Sequence, residues 1–351
     1  MANEYIYLSS FILFIILMLS VDLGVFNKKD HVVGYKEAAT MSFIWVSFAI
    51  AFYILLLTKG EELHGITNYT QLAEVTKRHF HNITLIPSNF PESLNIYKSN
   101  LALEFLTGYV IEYALSVDNI FVMVLIFTAF NVDEKYYHRV LVWGIIGAVI
   151  MRFLFIFLGA TLIAKFGWIL YIFGAFLLYT GIMMFFNRNQ EEKIDTDNHK
   201  VVRFASKYFS VYPHFSGHKF FVKKNGKNYI TPLFVVLLIV EFTDLIFAVD
   251  SIPAIFAVTK DPYIVFFSNI FAILGLRSMF FLLVNTLHKF HYLKTGLSLL
   301  LVFIGVKMLA HHWLKEWGFT TMHSLFIILG ILTVSVVASL IFPKKRSVKV
   351  H

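Results

Sequence analysis

The sequence predicts an all-α protein, a polytopic transmembrane helical bundle of about nine helices that includes two inverted three-helix repeats. Three observations carry this expectation. Of the 351 residues, 58% are hydrophobic and 15% charged, and mean hydropathy is +0.71, more apolar surface than a soluble chain of this size can bury. Apolar runs of about 20 residues, enough to cross a bilayer, recur along the chain. Acids, arginines and glycines then recur in one order in two separate parts of it.

Taken in order, residues 5–26 and 38–58 form two N-terminal spans, within a first segment 1–58. No basic region precedes the first and no small-residue cleavage site follows it, so it reads as a retained helix. A polar loop, 59–100, holds Pro87, Pro91, His64, His79 and His81. Spans 101–130, 140–164 and 168–187 make the first repeat, 101–187. Residues 188–230 form a basic loop ending in "KFFVKKNGKNYITP", where Asn225-Gly226 between aromatic and β-branched flanks signals a hairpin. Spans 231–257, 263–285 and 295–310 make the second repeat, 231–310, and residues 311–351 hold the last span, 322–342, and a basic tail.

Charge orients the chain. With the N-terminus outside, the inner loops carry 20 Lys and Arg and the outer segments 7, so the positive-inside rule places the N-terminus outside and the C-terminus in the cytoplasm. Loop 59–100 is then extracytoplasmic. The net charge of +8 is spread over alternate loops rather than gathered on one face, which argues against nucleic acid. The sequence has no cysteine, so disulfides and thiolate metal sites are excluded.

The repeat is legible residue by residue. "EYALSVDNIF" (112–121) lies on "DLIFAVDSIP" (244–253), Arg152 on Arg277, and "FLLYTGIMM" (176–184) on "LLVFIGVKM" (300–308). Each unit holds three spans, and an odd number turns the second copy over in the membrane, the arrangement with which transporters build a site near the midplane.

Acids inside these spans are the functional signal, because a charge at the bilayer centre costs about 2.5–3.5 kcal/mol on insertion scales and so faces an interior or wet cavity. Five are found: Glu112 and Asp118 in the first repeat, and Glu241, Asp244 and Asp250 in the second. On a straight helix Glu112 and Asp118 stand about 120° apart and Glu241 and Asp250 about 180° apart. A common site therefore requires helix breaks. Pro253 is expected to kink or open the helix beside Asp250, and Ser116 and Asn119 to support a looser stretch in the first repeat. With oxygens from Asn119 and Ser251, the five acids make an all-oxygen metal shell suited to Mg²⁺, Ca²⁺ or Mn²⁺. Arg152 and Arg277 can neutralise two acids, which leaves an excess of three. Neighbouring carboxylates do not all ionise cheaply in low dielectric, so metal uptake is expected to expel protons. A purely structural role, acids pairing with the arginines to hold the bundle, is the plainer alternative. Asp22 fits an interfacial place as well as a functional one, and His79 and His81 could capture a metal. His288, His291, His311 and His312 lie near span ends, where solvated histidine is ordinary.

At "IEYALSVDNIFV" and "VEFTDLIFAVDSIPAIFAVTKDP", and again at "WILYIFGAFLLYTG", "HKFFVKKNGKNYITPL" and "SNIFAILGLRSMFFLL", the chain resembles the TerC/Alx family of bacterial integral membrane proteins, from the first helix to about residue 310. The resemblance implies a bacterial cytoplasmic-membrane protein with two inverted three-helix repeats, an association with manganese export and, in other members, tellurite resistance. It assigns the family's acidic positions to Glu112, Asp118, Glu241, Asp244 and Asp250, and adds weight to Asp22 through an acid near the end of the first helix.

The leading expectation is a proton-coupled secondary transporter exporting Mn²⁺, with Mn²⁺ as cargo, no prosthetic group and no enzymatic activity. No nucleotide-binding motif occurs. The alternative is a metal-binding membrane scaffold of a secretion or stress-resistance complex, docking membrane-protein partners through the basic loop. An intramembrane aspartyl protease is disfavoured, because its G-x-G-D pattern is missing.

Overall fold

The computed structural model describes residues 2–26, 33–188, 200–224, 226–284 and 292–342. His288, His291, Asn225 and the basic tail from 343 fall outside these, as do the side chains of Val21–Phe26 and with them Asp22.

The elements are α1 (Ala2–Phe26), α2 (Tyr35–His64), α3 (Tyr69–Arg78), α4 (Phe90–Ala129), α5 (Glu134–Lys165), α6 (Ile169–Asn187), α7 (Lys200–Tyr208), β1 (Phe221–Lys224), β2 (Lys227–Ile230), α8 (Pro232–Phe256), α9 (Pro262–Leu283), α10 (Leu293–Leu309), α11 (His311–Glu316) and α12 (Thr321–Ile341). Among the described residues each predicted span overlaps a helix. Seven of these, α2, α4, α5, α6, α8, α9 and α12, are long and apolar enough to cross a membrane. Among the described residues, α1 has a shorter apolar run, Glu4–Met18, and α10 only 17 residues. β1 and β2 pair antiparallel across Gly226, whose φ of +77° suits the turn of the predicted hairpin.

Helix starts follow their caps. Asn89, Thr231 and Asp261 each accept a backbone N–H of the first turn through their side chains, and a proline follows at the start of α4, α8 and α9. At 40 residues α4 is about 60 Å long, twice a bilayer core, so its first turns project into the 59–100 loop. α2 bends at Lys59 (φ −132°, ψ 21°), where the predicted span ends, and runs on to His64.

α9 is the central post. Every residue of its apolar window is buried, enclosed by α2, α4 and α5, while α8 packs on α4 and α5. α6 and α10 stand against each other through glycines. A methyl group on Gly181 would lie 2.8 Å from the Val302 nitrogen and 2.9 Å from the Ser298 oxygen. One on Gly305 would lie 2.6 Å from the Leu178 nitrogen and 2.8 Å from the Gly174 oxygen. The contact is reciprocal, since Gly174, Leu178 and Gly181 stand 124 positions before Ser298, Val302 and Gly305. With no hydrophobic drive between helices in lipid, such close backbone approach is what holds them together. Phe43, Ile50, Leu154, Phe186 and Phe326 project outward as lipid-facing bulk.

The expected helix breaks are absent. α8 runs unbroken through Pro253 and α4 is continuous over its full length. Pro253 removes the helical bond to the Val249 carbonyl, but Ala254, Ile255 and Phe256 beyond it are buried in the bundle, and that packing carries the helix on to its end.

Candidate metal centre

Four helices bring polar groups to one point inside the bundle: Glu112 from α4, Arg152 from α5, Asp244 and Ser251 from α8, and Asn269 from α9. Each sits one to a few turns inside an otherwise apolar helix, facing the neighbouring helices rather than lipid. Glu112, Arg152 and Asn269 are fully buried, and Ser251 and Asp244 nearly so.

Arg152 is the hub. Its Nη1 donates to a Glu112 carboxylate oxygen, to Asn269 Oδ1 at 2.9 Å and to Ser251 Oγ at 3.3 Å, and its Nη2 to Asp244 Oδ1 at 3.3 Å. Asn269 closes the ring by donating from Nδ2 to Glu112 Oε2 at 3.0 Å. A planar guanidinium suits this task because its donors diverge in fixed directions and it stays charged in any protein setting. Two carboxylates face one guanidinium, so the cluster keeps a negative excess.

Glu241 lies three residues before Asp244 on the same face of α8. Its carboxyl packs against Gly147 of α5, where any side chain would collide with it. Glu241 and Asp244 share a small cleft with Met123, Gly144, Ala148 and Ile273. Beside the hub, the Ser116 hydroxyl is buried without a partner. Asn119 is buried and Asp118 half-buried on the C-terminal half of α4.

Of the residues the sequence singles out, the structure thus joins Glu112, Asp244 and Ser251 around Arg152, with Glu241 beside them. Asp250 is turned to another side of α8, next to Thr180 of α6, because adjacent positions on an unbroken helix point about 100° apart. Arg277, the repeat partner of Arg152, donates from Nη1 to His138 Nε2 at 2.7 Å. Sequence reasoning missed Asn269. Its signal was an amide within the 22-residue apolar α9, and it also underrated Arg152, which it read as a counter-charge rather than a centre.

Comparison with known proteins agrees with this membrane architecture. The profile described as "Integral membrane protein TerC family" matches residues 97–347. The chain is 44% identical to an uncharacterized membrane protein of Myxococcus xanthus over 333 residues, covering 95% of this chain and 91% of that one. It is 40% identical over 333 residues to a protein of Salmonella typhi named Alx, described as a candidate membrane-bound redox modulator, covering 93% and 91%. The Alx of Escherichia coli K12 is 41% identical over 305 residues, covering 85% and 84%. No solved structure gives a significant match.

Proposed function

The chain belongs to the integral membrane protein TerC family, and on that premise we propose that it exports divalent metal ions, Mn²⁺ foremost, from the bacterial cytoplasm through a carboxylate site near the bilayer midplane. One observation carries the reading: Glu112 and Asp244, buried at repeat-matched positions on different helices, converge on a single guanidinium. Buried carboxylates need a cation. An arriving hard divalent ion takes the place of Arg152, with the Asn269 and Ser251 oxygens completing an oxygen shell and Glu241, Asp118, Asn119 and Asp250 serving the path. Exchange of one cation for another spares the pocket an uncompensated charge. Proton antiport is assigned to Glu241, which stands beside the hub outside the Arg152 ion pairs and must be deprotonated to ligate.

Two further observations support alternating access. The reciprocal Gly181 and Gly305 contact relates α6 to α10 as an inverted repeat would. The cleft at Glu241 lies among the inner halves of α4, α5 and α8, on the side the basic loops assign to the cytoplasm, whereas on the other side Gly108 closes tightly on Ser268. Thiol–disulfide chemistry, one route to the redox role in the Alx name, is closed to a sequence without cysteine.

The test is Mn²⁺ flux in reconstituted vesicles. Glu112→Gln and Asp244→Asn are expected to abolish it with insertion intact. Asp250→Asn and Asp118→Asn report whether the path extends beyond the hub. A wild type that moves no divalent ion under any imposed gradient overturns transport and leaves the metal-binding scaffold.

A further inference from the structure

A second polar cluster is buried where the first turn of α1, the end of α2, the α3–α4 connection and the start of α9 meet. It holds Glu4, His64, His79, His81, Glu104 and Asp261, none more than 8% exposed. Glu104 and Glu112 are eight residues apart on α4, and Asp261 and Asn269 eight apart on α9, so the two clusters lie about 12 Å apart along the same pair of helices. The charge asymmetry puts this one on the extracytoplasmic side.

Its bonding is that of a metal site with its outer shell already built. His64 Nε2 meets Asp261 Oδ2 at 2.8 Å, and His64 Nδ1 meets Glu4 Oε1 at 2.8 Å. Asp261 is itself pinned, because its other oxygen caps α9 by accepting from the Tyr263 N–H at 2.9 Å. His81 Nδ1 meets Glu104 Oε1 at 3.0 Å, and Glu104 in turn accepts from the Thr259 hydroxyl at 2.6 Å. Metal-ligating histidines are commonly oriented this way, by a carboxylate on the ring nitrogen that faces away from the ion. The inward nitrogens remain: His79 Nε2 and His81 Nε2 are buried with no hydrogen-bond partner, as is the Tyr97 hydroxyl beside the His81 ring. Buried polar atoms are rarely left so. The rings gather closely, with centroids 4.8 Å apart for His64 and His79 and 6.0 Å for His79 and His81.

The backbone is bent to bring them there. α3 ends in a Schellman turn, His81 N–H to the Thr76 carbonyl and Phe80 N–H to the Lys77 carbonyl, with Phe80 at φ +54° where glycine usually stands. That turn sets His79 and His81 on the same side of a chain reversal, and both are buried while Phe80 points outward.

The geometry points to an extracytoplasmic binding site for one divalent transition-metal ion of the borderline class, Zn²⁺ by preference, held by Glu4, His64 Nδ1 and His79 Nε2, with His81 Nε2 as fourth ligand. Glu4, His64 and His79 already offer ligand atoms that lie within 4.8 Å of one another. A donor set of imidazole nitrogens and one carboxylate suits Zn²⁺ in tetrahedral coordination and disfavours Mg²⁺ and Ca²⁺, with Mn²⁺ weaker than Zn²⁺ in the usual affinity order. The ion replaces the proton between His64 Nδ1 and Glu4, and that proton leaves to water. Three carboxylates face the histidines, and Lys307 of α10 lies within electrostatic range of Glu104, so a doubly charged ion balances the pocket. Once bound, the ion ties α1 to α2 and to the α3–α4 connection. The site is independent of the proposed transport path and stands whether or not the hub at Arg152 carries an ion.

The experiment uses full-length protein in detergent, stripped with chelator and given Zn²⁺. The expected result is one Zn²⁺ per chain, a zinc-edge absorption spectrum with at least two imidazoles in the coordination shell, and a melting temperature that rises with Zn²⁺. His79→Gln and His81→Gln should each weaken Zn²⁺ binding at least tenfold, while Glu112→Gln and Asp244→Asn leave it unchanged. A shell of oxygen alone, or undiminished affinity in both histidine variants, overturns the site. Should the variants fail to insert, the wild-type spectrum decides by itself. Mn²⁺ flux is read separately, so either reading can fail without the other.

Discussion

Glu112 and Asp244, 132 positions apart in the chain, hydrogen-bond to two nitrogens of one guanidinium, that of Arg152. Removing the shared partner leaves both carboxylates buried without their cation. Arg152→Met should therefore destabilise the protein by about 3–5 kcal/mol. Adding Glu112→Gln to that variant should restore part of the loss. Thermal unfolding of the three proteins in one detergent checks this, and an Arg152→Met protein as stable as wild type would remove the ion-pair account.

The α6–α10 contact makes a prediction with an internal control. A methyl group at Gly305 meets the Leu178 backbone nitrogen, which has nowhere to go, whereas one at Gly330 meets nothing within 4 Å. Gly305→Ala and Gly181→Ala should each cost about 1–3 kcal/mol by overpacking. Gly330→Ala should be neutral or gain about 0.5–1 kcal/mol through helix propensity. Equal melting temperatures for Gly305→Ala and Gly330→Ala would contradict the close approach.

Phe80 holds a left-handed conformation at φ +54° under the Lys260 ammonium, 4.7 Å from its ring. An L-residue there costs about 1–2 kcal/mol, and a β-branched one more. Phe80→Val should lower the melting temperature, while Phe80→Gly should hold it near wild type, relief of strain offsetting lost backbone entropy and the cation–π contact. Phe80→Val as stable as Phe80→Gly would mean that the turn is not strained.

His79 and His81 should respond to pH with opposite sign in metal-free protein. Burial alone would push the His81 imidazole below its ordinary 6.5, but the Glu104 carboxylate outweighs it and leaves the group above that value. Its stabilisation is then fully present below 6.5 and is lost as pH rises through the folded value. His79, which burial holds below 6.5, loses stability as pH falls instead. The melting difference between wild type and His81→Gln should thus shrink from about pH 6 upward, and that for His79→Gln should shrink from about pH 7 downward. Parallel pH curves for the two variants would rule this out.

Particular residues show how far the sequence could be read. The acids at 112 and 244 and the arginine at 152 were visible because each interrupts an apolar window, and Gly226 because it follows Asn225 between strand-forming flanks. Asn269 escaped notice because a search for charges inside apolar spans passes over an uncharged amide. The break expected at Pro253 failed because the burial of Ala254, Ile255 and Phe256 among neighbouring helices, which no local sequence reveals, outweighs one lost helical bond. His64, His79 and His81 lie in a polar stretch where histidine is unremarkable. Only Asp261, 180 residues further on from His81, and Glu4 at the start of α1 make a cluster of them.

The sequence by itself determined that the chain is an all-α membrane protein and which segments are apolar enough to cross a bilayer, because that property belongs to the composition of each window alone. Tertiary structure decided which carboxylate meets Arg152, which turns away beside Thr180, and which histidines share a pocket. Those outcomes depend on the rotation of each helix about its axis and on how closely neighbours approach at single glycines, quantities that no stretch of one helix contains.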